Sequence, residues 1–131
     1  MDALLADLST FLASFGITAF RRKAPPFTKA SDGPYITYAA RISAMSEGEE
    51  VLLVEFDVWA YDTEDDTGQS VCADLTDQLH LAVAFKRVQD FTTRGTSSPF
   101  LRESSDPIPD PDDLEIAHVN SVYSAGTFTL R

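Results

Sequence analysis

The sequence predicts an α+β fold, in which a mostly antiparallel mixed sheet packs with two helices in a single domain. Three observations predict this class. Apolar residues recur at the helical period in two segments of the chain. Between these segments, residues 35–61 alternate in the manner of strands. The 131 residues, of which 44% are hydrophobic, suit one domain over residues 1–131 with a substantial core.

The first element is predicted to be an amphipathic helix followed by a short strand. Gly16 stands where the helix should end, because glycine takes a positive φ without strain. Residues 17–20 then read as extended. The helix is indicated by one apolar stripe, which comprises Leu4, Leu5, Leu8, Phe11, Leu12 and Phe15.

A break separates this unit from the strands that follow. The only basic run, residues 21–23, leads into prolines at 25 and 26, which are incompatible with a helix interior. Residues 31–34 (SDGP) combine the residue types of a turn. We therefore expect an irregular connection here.

Residues 35–43 and 51–61 are predicted to form an antiparallel hairpin across a polar loop. On the first strand, one face carries Ile36, Tyr38, Ala40 and Ile42. On the second strand, one face carries Val54, Phe56, Val58 and Ala60, whereas the other carries Glu55, Asp57, Trp59 and Tyr61. The alternation describes a sheet with one buried face and one partly wet, partly aromatic face.

A second helix and further strands complete the chain. Residues 62–67 supply Asp and Thr candidates for a helix N-cap. The apolar stripe of this helix comprises Val71, Cys72, Leu75, Leu79 and Ala82. The helix is expected to end near Leu81, although Val83 and Phe85 could extend it. Residues 94–99 suggest a loop, and the prolines of 106–111 suggest an extended, mobile segment. Final strands are expected at 114–123 and 127–130, with a turn at 124–126.

The chain is strongly acidic, with 10 basic and 21 acidic residues and a formal net charge of -11. This balance argues against sequence-independent nucleic-acid binding, which depends on Lys and Arg. It also disfavours adhesion to an anionic membrane. Two interpretations remain: the acidity maintains solubility, or an acidic surface faces DNA without adhering to it.

No catalytic, cofactor-binding or metal-binding pattern is present. Cys72 is the only cysteine, and we expect it to be a buried structural thiol. His80 and His118 lie in no zinc spacing, and the acidic run 62–66 lacks the ligand spacing of a Ca²⁺ loop. We therefore expect neither enzymatic activity nor a cofactor.

Neither a membrane span nor a signal peptide is indicated. No stretch of the chain approaches the ~20 apolar residues of a span. The start of the chain lacks the basic region of a signal peptide, so synthesis and use in a cytoplasm are expected.

An aromatic group on the predicted hairpin provides the candidate interface. Tyr35, Trp59 and Tyr61 are expected on the face away from the aliphatic residues, and Tyr38 is grouped with them. Two alternatives are open for this face: the helices cover it, or part of it forms a subunit interface, where Tyr and Trp are enriched.

Residues 1–82 resemble a known family. Residues 15–17 (FGI) end the helix, residues 33–38 (GPYITY) open the hairpin, and residues 54–61 (VEFDVWAY) form its second strand before a helix. This order, with its "P-Y-I-x-Y" and "hydrophobic-D-V-W" strands, resembles the tail terminator, or tail completion (head–tail joining), proteins of long-tailed bacteriophages.

The resemblance implies a structural role in virion assembly. It implies a small subunit, made in the bacterial cytoplasm, that forms a homo-oligomeric ring, commonly a hexamer, on the tail tube in the virion's neck. Its partners would be the tail tube protein and the head–tail connector protein, while DNA passes through the bore without specific binding. Residues 24–33 and 104–113 are candidate contacts with tube or connector.

One other class of function fits the same composition. An acidic inhibitor or immunity-type protein that binds a basic partner would also carry a charge of -11. Such a protein should remain a monomer, whereas a terminator should self-associate or assemble on tail tubes.

Overall fold

The computed structural model describes residues 1–21, 33–44, 49–109 and 116–131. Two α-helices and seven strands, four of them longer than three residues, make up this part of the chain. A single 3₁₀ turn, Val88–Asp90, follows the second helix. The elements run in the order α1 (Asp2–Ala13), β1 (Ala19–Arg21), β2 (Tyr35–Ala44), β3 (Glu50–Tyr61), α2 (Gly68–Val83), β4 (Gly95–Thr96), β5 (Leu101–Pro107), β6 (Ile116–Ala125) and β7 (Thr129–Leu130).

Five of the strands form one mixed sheet in the order β1-β2-β3-β6-β5. The pairing of β1 with β2 is parallel, and the other three pairings are antiparallel. Strands β4 and β7 form a separate two-stranded ribbon. The predicted class, a single α+β domain with a mostly antiparallel mixed sheet and two helices, is confirmed.

Both helices pack on the same side of the sheet. The Tyr38 hydroxyl of β2 donates a hydrogen bond to the Leu5 carbonyl of α1, at 2.8 Å. The Cys72 thiol of α2 lies 3.6 Å from the Val58 carbonyl of β3. The predicted aliphatic face of the hairpin therefore meets the apolar stripes of the helices, and together they form the core.

The start of α2 follows the capping chemistry predicted from its sequence. The Thr67 hydroxyl accepts from the Ser70 backbone N–H, as an N-cap side chain does. The Asp62 carboxylate accepts from the Gly68 N–H at 2.6 Å. The predicted C-terminal glycine of α1 is also confirmed, since Gly16 has a φ of +78°.

The later part of the chain differs from the prediction in three places. Residues 95 and 96, expected in a loop, form the short strand β4, which pairs with β7. Residues 104–107, expected in a mobile segment, belong to strand β5, which pairs with β6. Residues 124 and 125, expected in a turn, lie in β6, which continues to Ala125. The differences at β5 and at the end of β6 have the same reason. Strand β6 is long enough to pair with β3 on one side and with the largely polar strand β5 on the other.

Several predicted features fall outside the described residues. These are the prolines at 25 and 26, the first half of the turn at 31–34, the centre of the polar loop after β2, and residues 110–113. Most of the candidate contact segment 24–33 is among them, so it stays a prediction.

Candidate functional site: the outer face of the sheet

The sheet face that points away from α1 and α2 is here called the outer face. Strand register assigns its side chains, because directly paired residues share a face. Tyr35, Trp59 and Tyr61 all lie on it. Neither helix covers these three residues, so the alternative in which the helices pack on the aromatic face is wrong. Strands β3 and β6 lie inside the sheet and β5 lies at its edge. On these three strands the outer face consists of Val51, Leu53, Glu55, Asp57, Trp59, Tyr61, Ile116, His118, Asn120, Val122, Ser124, Leu101, Ser104 and Asp106.

Tyr38 does not belong to the outer face, which corrects its place in the candidate interface. It pairs with Phe56 on the helix side of the sheet and is only 3% exposed. Its hydroxyl donates its hydrogen bond to the Leu5 carbonyl inside the core. The physical reason is the strand period: Tyr38 is three residues after Tyr35, so the two side chains point to opposite faces.

The aromatic residues of the outer face form a row across three strands. Tyr35 pairs with Trp59, and Trp59 pairs with His118 of β6. The Tyr35 and Trp59 ring centroids are 5.2 Å apart. The Trp59 and His118 rings are stacked, with centroids 4.4 Å apart and an interplanar angle of 18°. Burial in this row raises the pKa of the Tyr35 hydroxyl above its ordinary value.

A hydrogen-bond network joins this row to two carboxylates of β3. His118 Nε2 lies 2.7 Å from Asp57 Oδ1. Asn120 Nδ2 donates to the same oxygen at 3.0 Å and to Glu55 Oε1 at 2.6 Å. The amide thus bridges two like charges. Because Asp57 and His118 expose only 24% and 17% of their side chains, the network is well ordered relative to an ordinary surface pair.

Strand β5 adds two further carboxylates to the outer face. Asp106 pairs with Asn120, so that Asp57, Asn120 and Asp106 form a row across three strands. Glu103 lies at a register shift in β5 and accepts a hydrogen bond from the Ser124 hydroxyl of β6. Sequence reasoning missed His118, Asn120 and these two residues as parts of a site. No local signal could have found them, because only strand pairing brings them beside Asp57.

On the described part of the outer face, a histidine and a carboxylate lie side by side. His118 and Asp57 have the geometry of a base and its orienting carboxylate. Among the described residues, however, no hydroxyl or thiol nucleophile lies within hydrogen-bond distance of His118. His80, the other histidine, is hydrogen bonded through Nδ1 to the Tyr123 hydroxyl at 2.9 Å on the helix side. The arrangement is suited to binding through aromatic and acidic side chains.

A groove beside α2 extends from the helix side of the sheet to Ile116 and His118 of the outer face. It opens between α2 and β5 with a volume of about 930 Å³, and its walls include Thr76, Asp77, Arg102 and Ser105. The Thr76 hydroxyl is buried there without a hydrogen-bond partner among the described residues. In the same region Tyr123 has a raised hydroxyl pKa, because burial outweighs the opposing effect of Arg102.

The described residues contain neither a metal-binding cluster nor a membrane-spanning helix. No group of three or more His, Cys, Asp or Glu side chains is placed to hold a metal ion there. No helix in that part of the chain is long and apolar enough to cross a membrane.

Cys72 occupies the buried position that its helical pattern predicts. The residue is 0% exposed, and burial raises the pKa of its thiol to about 11, a shift that a hydrogen bond with the Ala60 backbone only partly opposes. At pH 8 we therefore expect on the order of one thiol in a thousand to be ionised. Native protein should resist a disulfide reagent such as Ellman's reagent at this pH. Because the chain has one cysteine, unfolding in guanidinium is the control and should release one reactive thiol. Rapid stoichiometric reaction of the native protein would contradict this.

Comparison with known proteins identifies a shared fold. No protein-family model matches the chain, and no curated protein matches it. Among solved structures, the chain is similar to a chain of the virion of a native gene transfer agent (GTA) particle. The two share 13% sequence identity with a TM-score of 0.63, over 96% of this chain and 92% of that chain. The similarity therefore extends over almost the whole of both chains, and at this identity it establishes that they have the same fold.

Proposed function

We propose that this protein is a structural component of a phage-like virion, and specifically a tail terminator. In this role, copies of the chain form a ring, commonly a hexamer, that caps the tail tube and joins it to the head connector. The observation that carries the proposal is the near end-to-end fold similarity to a chain of a virion particle. The sequence resemblance of residues 1–82 to tail terminators supplies the finer role.

The outer face supports assembly by surface complementarity. It presents a half-buried aromatic row beside ordered carboxylates, and aromatic side chains are enriched in protein interfaces. The role needs no covalent chemistry, so we propose that the chain is not an enzyme. Its partners in this proposal are other copies of itself, the tail tube protein and the connector protein.

The acidity of the chain suits a ring through which DNA passes. A net charge of -11 repels phosphates, so DNA can cross the bore without adhering to its wall. In this proposal DNA is a passing cargo and not a ligand. The mature position of the protein would be the neck of the virion, after synthesis in the bacterial cytoplasm.

The test combines mass measurement with electron microscopy. We expect the mass of the purified protein to rise with concentration over the micromolar to millimolar range towards that of a closed ring. Negative staining should show rings, and addition of tail tubes from the same particle should place the protein at one tube end. A chain that remains monomeric throughout and does not bind tubes, but binds a basic protein one to one, contradicts the proposal and favours the inhibitor class.

A further inference from the structure

Four carboxylates cluster on the outer face at β3 and β5. Glu55 and Asp57 lie within β3, Asp106 of β5 is level with Asp57 two strands away, and Glu103 of β5 accepts a hydrogen bond from Ser124. Neighbouring strands are about 4.8 Å apart, so the four carboxylates lie within roughly 10 Å across the sheet. Along the strands, Glu103 beside Ser124 is displaced by about 13 Å from the level of Asp57 and Asn120. We call Glu55, Asp57, Glu103 and Asp106 the acidic row.

Within the described residues, the acidic row is hydrogen bonded but not ion-paired with Lys or Arg, although Arg41 of β2 shares the outer face and pairs with Leu53. Its hydrogen-bond donors are an amide, a hydroxyl and the imidazole of His118. Over the residues the structure describes, no Lys or Arg forms a salt bridge with any member of the row. The carboxylates are therefore held in place with their charge available to a partner.

A basic surface occurs elsewhere on the same chain. Lys86, Arg87, Arg94 and Arg131 lie on one small unit, here called the basic corner. The Arg131 N–H donates to the Arg94 carbonyl at 2.7 Å, and these residues flank the paired strands β4 and β7. Arg87 precedes the 3₁₀ turn, whose Val88 N–H donates to Ser97 Oγ beside β4. The corner thus holds four of the ten basic residues of the chain.

The basic corner lies on the helix side of the molecule, away from the acidic row. Its unit packs against α1 through Phe91, whose ring centroid is 5.8 Å from that of Phe11. Thr92 donates to the Asp7 carboxylate of α1 at 2.6 Å, and Arg94 approaches the same carboxylate at 3.9 Å. Arg87 and Arg131 are exposed and form no salt bridge within the described ranges.

We propose that the acidic row of one copy docks against the basic corner of the next copy, head to tail. This inference rests on the proposed function, since it identifies the contact that builds the ring. Two acidic rows repel each other, which disfavours a symmetric face-to-face dimer. Two complementary patches on different sides of one chain instead make a heterologous contact, which forms a ring when its rotation closes.

Two charge-reversal variants test the contact. One variant carries Glu55→Lys and Asp106→Lys, and the other carries Arg87→Glu and Arg131→Glu. All four residues are exposed, so neither variant should affect folding, which circular dichroism and thermal melting can verify. We expect each variant alone to self-associate at least about tenfold more weakly than the parent in sedimentation velocity, because attraction becomes repulsion.

Mixing the two variants provides the decisive measurement. In an alternating array, the reversed row of the first variant meets the reversed corner of the second, and the remaining contact joins a native row to a native corner. An equimolar mixture should therefore regain assembly, while each variant alone does not. Assembly of the parent protein should also weaken as the salt concentration rises from about 0.05 to about 0.5 M. The Debye length is about 10 Å at 0.1 M and becomes shorter at higher salt, so the attraction between the two patches is screened.

A matched control separates local contact from total charge. Glu64→Lys with Asp65→Lys changes the net charge by the same amount as the acidic-row variant, on exposed residues outside the outer face. This control should assemble like the parent. If the parent assembles and the row and corner variants do so equally well, or if their mixture shows no recovery, the inference is wrong while the proposed function stands. If the parent itself neither assembles nor binds tubes, the proposed function fails.

Discussion

Replacement of Phe56 by alanine is expected to remove about 3–5 kcal/mol from the free energy of unfolding. Phe56 lies in the central strand β3 and is 0% exposed. Its ring packs edge-on against Tyr123, with centroids 5.9 Å apart, and lies 6.3 Å from the ring of Tyr38. The substitution leaves a cavity on the helix side of the sheet, beside the rings of Tyr38 and Tyr123. Strand pairing fixes the backbone positions of these neighbours, so they cannot fill it completely.

Urea titration followed by tryptophan fluorescence measures this loss. Domains of this size have about 5–15 kcal/mol of stability, so the variant should lose roughly a fifth or more of it. Phe85→Ala is the matched control, because the Phe85 side chain is 72% exposed, and its change should stay near 0.5 kcal/mol. Equal losses for the two variants would contradict the assignment of Phe56 to the core.

The substitution Gly68→Ala is expected to cost about 2 kcal/mol, although alanine is the better helix former. A Cβ atom at this first residue of α2 would lie 2.5 Å from the Ala60 carbonyl oxygen and 3.2 Å from Ala117 Cβ. The carbonyl belongs to the backbone of β3 and cannot rotate away. The start of α2 would have to move outward, which disturbs the hydrogen bond from the Gly68 N–H to Asp62.

Thermal melting of Gly68→Ala beside Gly126→Ala checks this expectation. Gly126 has no atom within 4 Å of an added Cβ and does not need a positive φ, so its replacement should leave the melting temperature unchanged or slightly higher. At Gly68 the melting temperature should fall by roughly 5–10 °C. A Gly68→Ala variant as stable as the parent would mean that α2 does not approach β3 so closely.

The strand β5 shows why part of the fold could not be predicted. Its sequence, LRESSDP, has almost no apolar alternation, and the structure leaves most of it exposed. It forms because β6 offers a free edge with unpaired backbone groups, and pairing with that edge satisfies them. A strand that is held mainly by backbone hydrogen bonds has no distinctive side-chain pattern. The prolines were therefore the stronger local signal, and they led to the prediction of a mobile segment where β5 is formed.

The aromatic row shows the same limit for the site. The alternation in β3 correctly placed Trp59 and Tyr61 on the face opposite Phe56, and the alternation in β2 placed Tyr38 with Ile36. Tyr38 was grouped with the interface because it is a tyrosine, although its position in β2 places its side chain on the face opposite Tyr35. The partner of Trp59, however, is His118, and Asp57 meets Asn120 63 residues further along the chain.

The sequence by itself determined the fold class, the ends of the hairpin strands, and which hairpin residues share a face. These follow from local geometry, because a strand alternates its side chains every residue and a helix repeats every 3.6. Only the tertiary structure decided that both helices cover the aliphatic face, that β6 lies between β3 and β5, and that four carboxylates lie on the same outer face. Those features depend on long-range pairing, which the period of a strand cannot specify because it sets the face of a residue and not its neighbour.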